Sequence, residues 1–299
     1  MRALAEFIMR GRIQASAVAL VGNLVPMVSP ATVGLVALRK NSAEGLLVML
    51  WAVLPLLVTL YFGSASFPVV VASVVTLVTI IAAAGILKQT LSWPLSLAGS
   101  LLVCSALVLL SGTVFSGDVA SVSAGVQTLM AKQDMLSETQ VSPLELLMAI
   151  TAMNLGVEKM TPGFVLGFLS WLTVVHGVVS LLLARWWQAL LFNPGGFQQE
   201  IHGLRFSSPL AMGLAVVALV LYLSSPTLMP WASMVGFPLM LAGIGLIHHS
   251  VAVLGLGVFW LVLFYIGLLL VGPLSLVMVG IGFLDSILDF RTRLARYRK

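Results

Sequence analysis

The chain has 299 residues, of which 60% are hydrophobic and 8% charged, with a formal net charge of +5 at pH 7. A water-soluble fold of this length needs roughly a quarter of its residues charged to cover its surface, so composition excludes a soluble globular protein and points to an integral membrane protein. The positive balance does not imply nucleic acid: five of the fifteen basic residues fall in the last nine positions, RTRLARYRK, directly after an apolar run, where anionic lipid headgroups are the nearer partner.

The opening MRALAEFIMRGRIQ sets basic residues before an apolar run, as a signal peptide does, but no small-residue cleavage site is followed by a hydrophilic chain, so the first span is expected to be retained. Apolar runs near the roughly 20 residues that cross a hydrocarbon core then recur along the whole length. They are read as spans at 12–27, 30–38, 43–62, 67–87, 91–115, 161–187, 208–224, 230–247, 250–271 and 273–287. Several starts carry a hydroxyl residue directly before proline: Ser29-Pro30, Ser142-Pro143, Thr161-Pro162 and Ser208-Pro209. The hydroxyl can accept a bond from a free first-turn N–H, and proline loses none at the first helical position. Ser142-Pro143-Leu144-Glu145 is a full capping box. The span at 30–38 is too short to cross alone, which marks it as a helix that begins within protein; one kinked span over 12–38 is the rival reading.

Residues 116–160 are read as an external amphipathic segment, because Val119, Val122, Val126, Leu129 and Leu136 recur at helical steps among polar residues. The segment either packs on the outer ends of the spans or caps a cavity. Lysine and arginine placement sets the orientation. With ten crossings and both ends inside, thirteen of the fifteen basic residues fall on the cytoplasmic side, leaving Lys132 and Lys159 outside. The expected fold is therefore all-α: a polytopic transmembrane helical bundle of about ten segments, one of them short, with cytoplasmic N- and C-termini and a single domain over 1–299.

Ionisable and polar groups within spans are the first functional candidates. His176, near the middle of its span, could bind a substrate, relay protons or bond across to another helix. Asn23, beside the Pro26–Pro30 break, could line a substrate site, as broken helices do in transporters, or tie the break together. His248 and His249 point about 100° apart on a helix and have no Cys, Asp or Glu nearby in sequence, so no metal site is expected and a turn is the better reading. Cys104 is lone, so no internal disulfide can form. The hairpin at 192–207 starts with Asn193-Pro194-Gly195-Gly196, strong turn chemistry, and carries Gln198, Gln199, Glu200, His202 and Arg205 as candidate partner contacts. In the tail at 286–299, Asp289 is placed to pair with Arg293, and Arg291, Arg293, Arg296, Arg298 and Lys299 form a lipid anchor. No phosphate-binding G-x-x-x-x-G-K loop, no G-x-S-x-G elbow and no H-E-x-x-H helix occurs, so no enzyme and no cofactor is expected.

The segments RWWQALLFNPGGFQQEIHGLRFS, GLIHHSVAVLGLGVFWLVLFY and GFLDSILDFRTRLARYRK resemble the YybS-like family of predicted bacterial membrane proteins, a domain of unknown function, which implies a bacterial inner-membrane protein. At the level of fold the chain is also similar to the substrate-binding membrane subunits of energy-coupling-factor vitamin transporters and to the rod-shape protein MreD. Those subunits touch their coupling partner through Ala-x-x-x-Ala in the first helix, a pattern matched by Ala15 and Ala19. The resemblance implies small-molecule binding or transport, with energy from a separate chain. A non-transporting scaffold that recruits envelope or cytoplasmic partners is the alternative.

Overall fold

The computed structural model describes residues 1–25, 27–63, 67–131 and 142–297, and among them every regular element is helical. Lys132, Leu136, Arg298 and Lys299 lie outside the described residues, and for Arg296 only the backbone is described.

The first element pair departs from the expected span at 12–27. After α1 (Arg2–Met9), α2 (Arg12–Val21) stops at a 3-10 turn over Gly22–Leu24, and α3 (Val28–Arg39) follows. At 1.5 Å per residue these two helices reach about 15 and 18 Å, against a hydrocarbon core of roughly 30 Å. They fold back on each other: the Ser29 hydroxyl donates to the Ala19 carbonyl at 2.7 Å, and Arg12 at the start of α2 pairs with Glu44 just beyond the end of α3. Ser29 therefore lies inside its helix and joins two helices, rather than capping one. The short helix expected at 30–38 is thus present as α3, while the first helix ends earlier than expected, because hydropathy registers neither a 3-10 turn nor the left-handed residue Met27 (φ 70°).

Every residue of α3 from Ser29 to Leu38 is buried. It lies among α2, α4 (Ser42–Tyr61), α5 (Phe67–Thr90) and α9 (Pro162–Phe192). Lipid is as apolar as leucine, so close packing rather than the hydrophobic effect must hold such a helix, and small residues make that possible. A Cβ on Gly34 would stand 3.2 Å from that of Ala184, and one on Gly45 would stand 3.0 Å from that of Ala37. Ala15 and Ala19 belong to the same packing: both are buried inside this chain.

Between α5 and α9 run α6 (Trp93–Val114), α7 (Ser116–Ala131) and α8 (Pro143–Asn154). After α9 come α10 (Gly196–His202), α11 (Ser208–Ser224), α12 (Met229–Val253), α13 (Val258–Leu270), α14 (Pro273–Leu288) and α15 (Phe290–Tyr297). Among the described residues five helices are long and apolar enough to cross a membrane: Ser42–Tyr61, Phe67–Thr90, Trp93–Val114, Pro162–Phe192 and Pro226–Val253. A sixth arises if α13 and α14, bent by 119° at their junction, count as one broken span. The length of α11 agrees with expectation, while α12 runs past the expected end and carries His248 and His249 inside the helix, not in a turn.

Two glycines bring α12 and α14 into backbone contact. A Cβ on Gly282 would lie 1.9 Å from the Leu239 carbonyl oxygen, and one on Gly243 would lie 2.2 Å from that of Met278. At the far end of the bundle, α7 buries Val119, Val126 and Leu129 against α8 and α9, the stripe expected from sequence. Ser142 and Thr161 cap their helices as expected, Ser142 within a complete capping box with Glu145. Ser208 does not: it is the first helical residue, and its hydroxyl donates to the Ser286 carbonyl at 3.3 Å.

Candidate functional site at the basic end

Contacts between helix termini gather the basic residues at one end of the bundle. Arg12 pairs with Glu44, Lys88 donates to the Lys40 carbonyl, and the Arg39 guanidinium lies 3.8 Å over the Phe192 ring. The hairpin 193–207 is tied into this end from two sides. Its turn uses Gly195 at φ 85°, a conformation open to glycine at no steric cost. Gly196 is instead the first residue of α10, with the Asn193 side chain against the space a Cβ would fill.

On one side Glu200 accepts from the Trp93 indole at 2.9 Å and from two guanidinium nitrogens of Arg185, one of them at 3.0 Å. On the other side stands Arg291. Its Nε donates to Asp285 at 2.9 Å, and its terminal nitrogens donate to the carbonyls of His202, of Leu204 at 2.7 Å and of Ala242 at 3.2 Å. A helix ends with four carbonyls that have no partner of their own, and here the guanidinium satisfies the end of α10 and the loop after it. Asp285 is fully buried and Arg291 nearly so. Burial pulls the Arg291 pKa down, and the carboxylate of Asp285 works against that pull.

Residues six apart do not share a face of a continuous helix. Asp289, in the left-handed region at φ 51°, breaks α14 from α15 and folds Arg291 back onto Asp285. Asp289 itself pairs with Arg205 at 2.7 Å and not with Arg293, and that bond holds its carboxyl below the usual range. Of the expected lipid anchor, Arg291 is thus engaged inside the fold, while Arg293 is exposed.

Between α3, α9 and the hairpin lies a polar recess of about 160 Å³, lined by Arg39, Arg185, Gln188, Ala189, Phe192, Asn193 and Glu200. The charge of Arg185 is balanced by Glu200, and the Gln188 side-chain carbonyl accepts from Arg185, leaving its amide nitrogen as a donor. Arg39 has no carboxylate partner among the described residues. A second recess near the opposite end, lined by Phe67, Val71, Val108, Phe115, Leu166 and others, is apolar and holds only about 20 Å³.

The other sequence candidates are dispersed. Asn23 donates to the carbonyls of Ala19 and Ala52, each at 3.1 Å, and so ties the α2–α3 break to α4. His176 is half-buried on α9 and makes no hydrogen bond with the described residues; neither His176 nor Asn23 lines either recess. Gln198 and Gln199 are exposed, whereas Glu200 and Arg205 are committed to the internal pairs above. His202 lies 6.4 and 6.0 Å from His248 and His249, ring centre to ring centre, and His248 bonds the Tyr265 hydroxyl at 2.8 Å. Among the described residues no three His, Cys, Asp or Glu side chains converge to hold a metal ion.

Sequence reasoning missed Arg39, Gln188 and Phe192 as a group. Nothing in their spacing joins them, because α3 and the end of α9 meet only through the fold. No family model, curated protein or solved structure matches this chain.

Proposed function

We propose that this chain is a multi-pass bacterial inner-membrane protein that binds a small anionic molecule in the recess at its basic end. The observation that carries this reading is Arg39: an exposed guanidinium, steadied by the Phe192 ring and without a carboxylate partner among the described residues, facing a recess whose other arginine is already neutralised. Glu200 has three donors and is not available to a cation. The recess holds about 160 Å³ and is open to the surface, so it admits an ionised group or a small anion, and the rest of a larger ligand would stay outside it.

In this reading the basic end faces the cytoplasm, supported by the excess of Lys and Arg gathered there, and the chain belongs with the YybS-like proteins on the strength of the three quoted segments. It would serve as the binding component of a larger assembly whose energy source is a separate chain. The scaffold reading draws support from the dense packing around α3, which leaves Asn23 and His176 outside both recesses. The two readings part in one measurement. Full-length protein in mild detergent is melted with phosphate, sulfate or acetate, and with cationic controls at equal ionic strength. Anion binding raises the melting temperature of the wild type and not of Arg39→Gln; no response to any anion would leave the scaffold reading in its place.

A further inference from the structure

We infer that α13 and α14 form a re-entrant hairpin that enters and leaves the bilayer at the basic end, so that the chain crosses the membrane six times and dips into it twice. The contacts of α12 set the frame. It starts at the end opposite the basic one, where the Trp231 indole donates to the Gly163 carbonyl at 2.9 Å and a Cβ on Gly167 would meet the Trp231 ring at 2.4 Å. It closes at the basic end: the His202 ring of α10 stands 6.4 and 6.0 Å from those of His248 and His249, and a Cβ on Gly245 would lie 2.7 Å from the Ile201 carbonyl oxygen. A turn with Gly255 at φ 68° then reverses the chain, and α13 runs back along α12, since Tyr265 reaches His248 at 2.8 Å. The end of α14 is at the basic end again. Asp285 holds Arg291, which donates to the carbonyls of His202 and Leu204, and the Ser208 hydroxyl donates to the Ser286 carbonyl at 3.3 Å.

Length decides between a broken span and a dip. The 28 residues from Val258 to Asp285 measure about 42 Å as helix, whereas crossing a hydrocarbon core of roughly 30 Å and returning takes about 60 Å. The pair therefore turns inside the bilayer, no deeper than about 21 Å, and its 119° bend is that turn. Lipid surrounds α13, because VFWLVLFYIGLLL carries no charge and buries none of its residues against the rest of the chain. In lipid every backbone polar group needs a partner, and the elbow supplies several itself. The Val271 N–H donates to the Gly267 carbonyl at 2.8 Å, the Leu274 N–H to the Val271 carbonyl at 2.9 Å and the Ser275 hydroxyl to the Gly272 carbonyl at 2.8 Å, while Pro273 has no N–H to satisfy. The α2–α3 hairpin is the second dip, tied to the basic end by Arg12 with Glu44 and by Lys88 with the Lys40 carbonyl. The crossings are then α4, α5, α6, α9, α11 and α12. Short as it is, α11 belongs among them: it starts beside Ser286 at the basic end and must reach the start of α12 at the other.

Single cysteines in the full-length protein test this, with a membrane-impermeant maleimide added to membrane vesicles of either orientation. The wild type, whose lone Cys104 is fully buried, gives the background. All the chosen positions are exposed on the folded chain, so a thiol there perturbs little. Leu256→Cys in the turn before α13 and Arg293→Cys after α14 are expected to be labelled from the same face as Gln199→Cys in the 193–207 hairpin. Phe62→Cys after α4 and Ser224→Cys at the end of α11 are expected to be labelled from the other face. Leu270→Cys at the elbow should resist the reagent from both faces and react only after denaturation in SDS, which also shows that its thiol is present. Labelling of Leu256→Cys from the face of Phe62→Cys would make α13 and α14 one broken span and overturns the inference. So does labelling of Leu270→Cys in intact vesicles from either face, which would put the elbow in water. Labelling of Ser224→Cys together with Gln199→Cys removes α11 from the crossings and overturns the count of six.

Discussion

At the basic end, the 193–207 hairpin is fixed by charge: Glu200 against Arg185, Arg205 against Asp289, and Arg291 buried against Asp285 and three carbonyls. At the opposite end, α7 and α8 are fixed by valine, leucine and methionine side chains, by a capping box, and by Gln127, which accepts from the Met160 N–H at 2.6 Å. Apolar contacts are many and individually weak, so the second end should lose stability in small steps. A buried ion pair fails differently, since removing one partner leaves the other charge without water or a counter-ion.

The largest effect is therefore expected at Asp285. Asp285→Ala should cost about 3–5 kcal/mol in denaturant unfolding in mild detergent, while Asp285→Leu combined with Arg291→Met should recover most of the loss. A single-variant loss under about 1 kcal/mol would mean that Arg291 is hydrated and would break the contrast between the ends. Next is the α12–α14 contact, where Gly282→Val must push two backbones apart and should cost about 1–3 kcal/mol, with Gly282→Ala in between; an unchanged unfolding midpoint for both would disprove the close approach. Within the hairpin, Glu200→Ala strips partners from Arg185 and Trp93 and should cost about 1–3 kcal/mol. At the other end, Ser142→Ala removes one cap and should cost about 1 kcal/mol by the same assay. Smallest of all, Gln198→Ala and Gln199→Ala should each stay within about 0.5 kcal/mol. Equal costs for Glu200→Ala and Gln199→Ala would show the hairpin to be a plain connector.

What the sequence disclosed followed the range of the interaction involved. The capping box at Ser142 was legible because both partners lie within one turn, and the long spans of α4, α5, α6 and α9 were legible because a bilayer imposes their length. The apolar stripe of α7 was likewise set by local periodicity. A break between α2 and α3 was legible from Pro26 and Pro30, but the early end of α2 and the fold-back were not, since they depend on a left-handed Met27 and on bonds from Ser29 and Asn23 to other helices. Asp289 shows the same limit: its four-residue spacing to Arg293 is real, but the helix breaks at Asp289 and the loop arginine reaches it instead. The recess beside Arg39 was invisible because Arg39 and Phe192 are separated by about half of the chain.

The complete burial of α3 also constrains how the protein is made. A helix of this length gains little from sitting in lipid by itself, and its face toward Ala184 stays uncovered until α9 has been synthesised. At roughly 5–20 residues per second, ribosomes need on the order of 10–30 s to travel from α3 to the part of α9 that covers it. During that interval the amino-terminal hairpin should wait beside the translocation machinery in an open, reactive arrangement. A thiol reagent should accordingly label Leu38→Cys, one turn beyond Gly34 on the same helix, in nascent chains that end before Pro162 and spare it in the finished protein. Equal protection in the short chains would mean that α4 and α5 alone shelter α3.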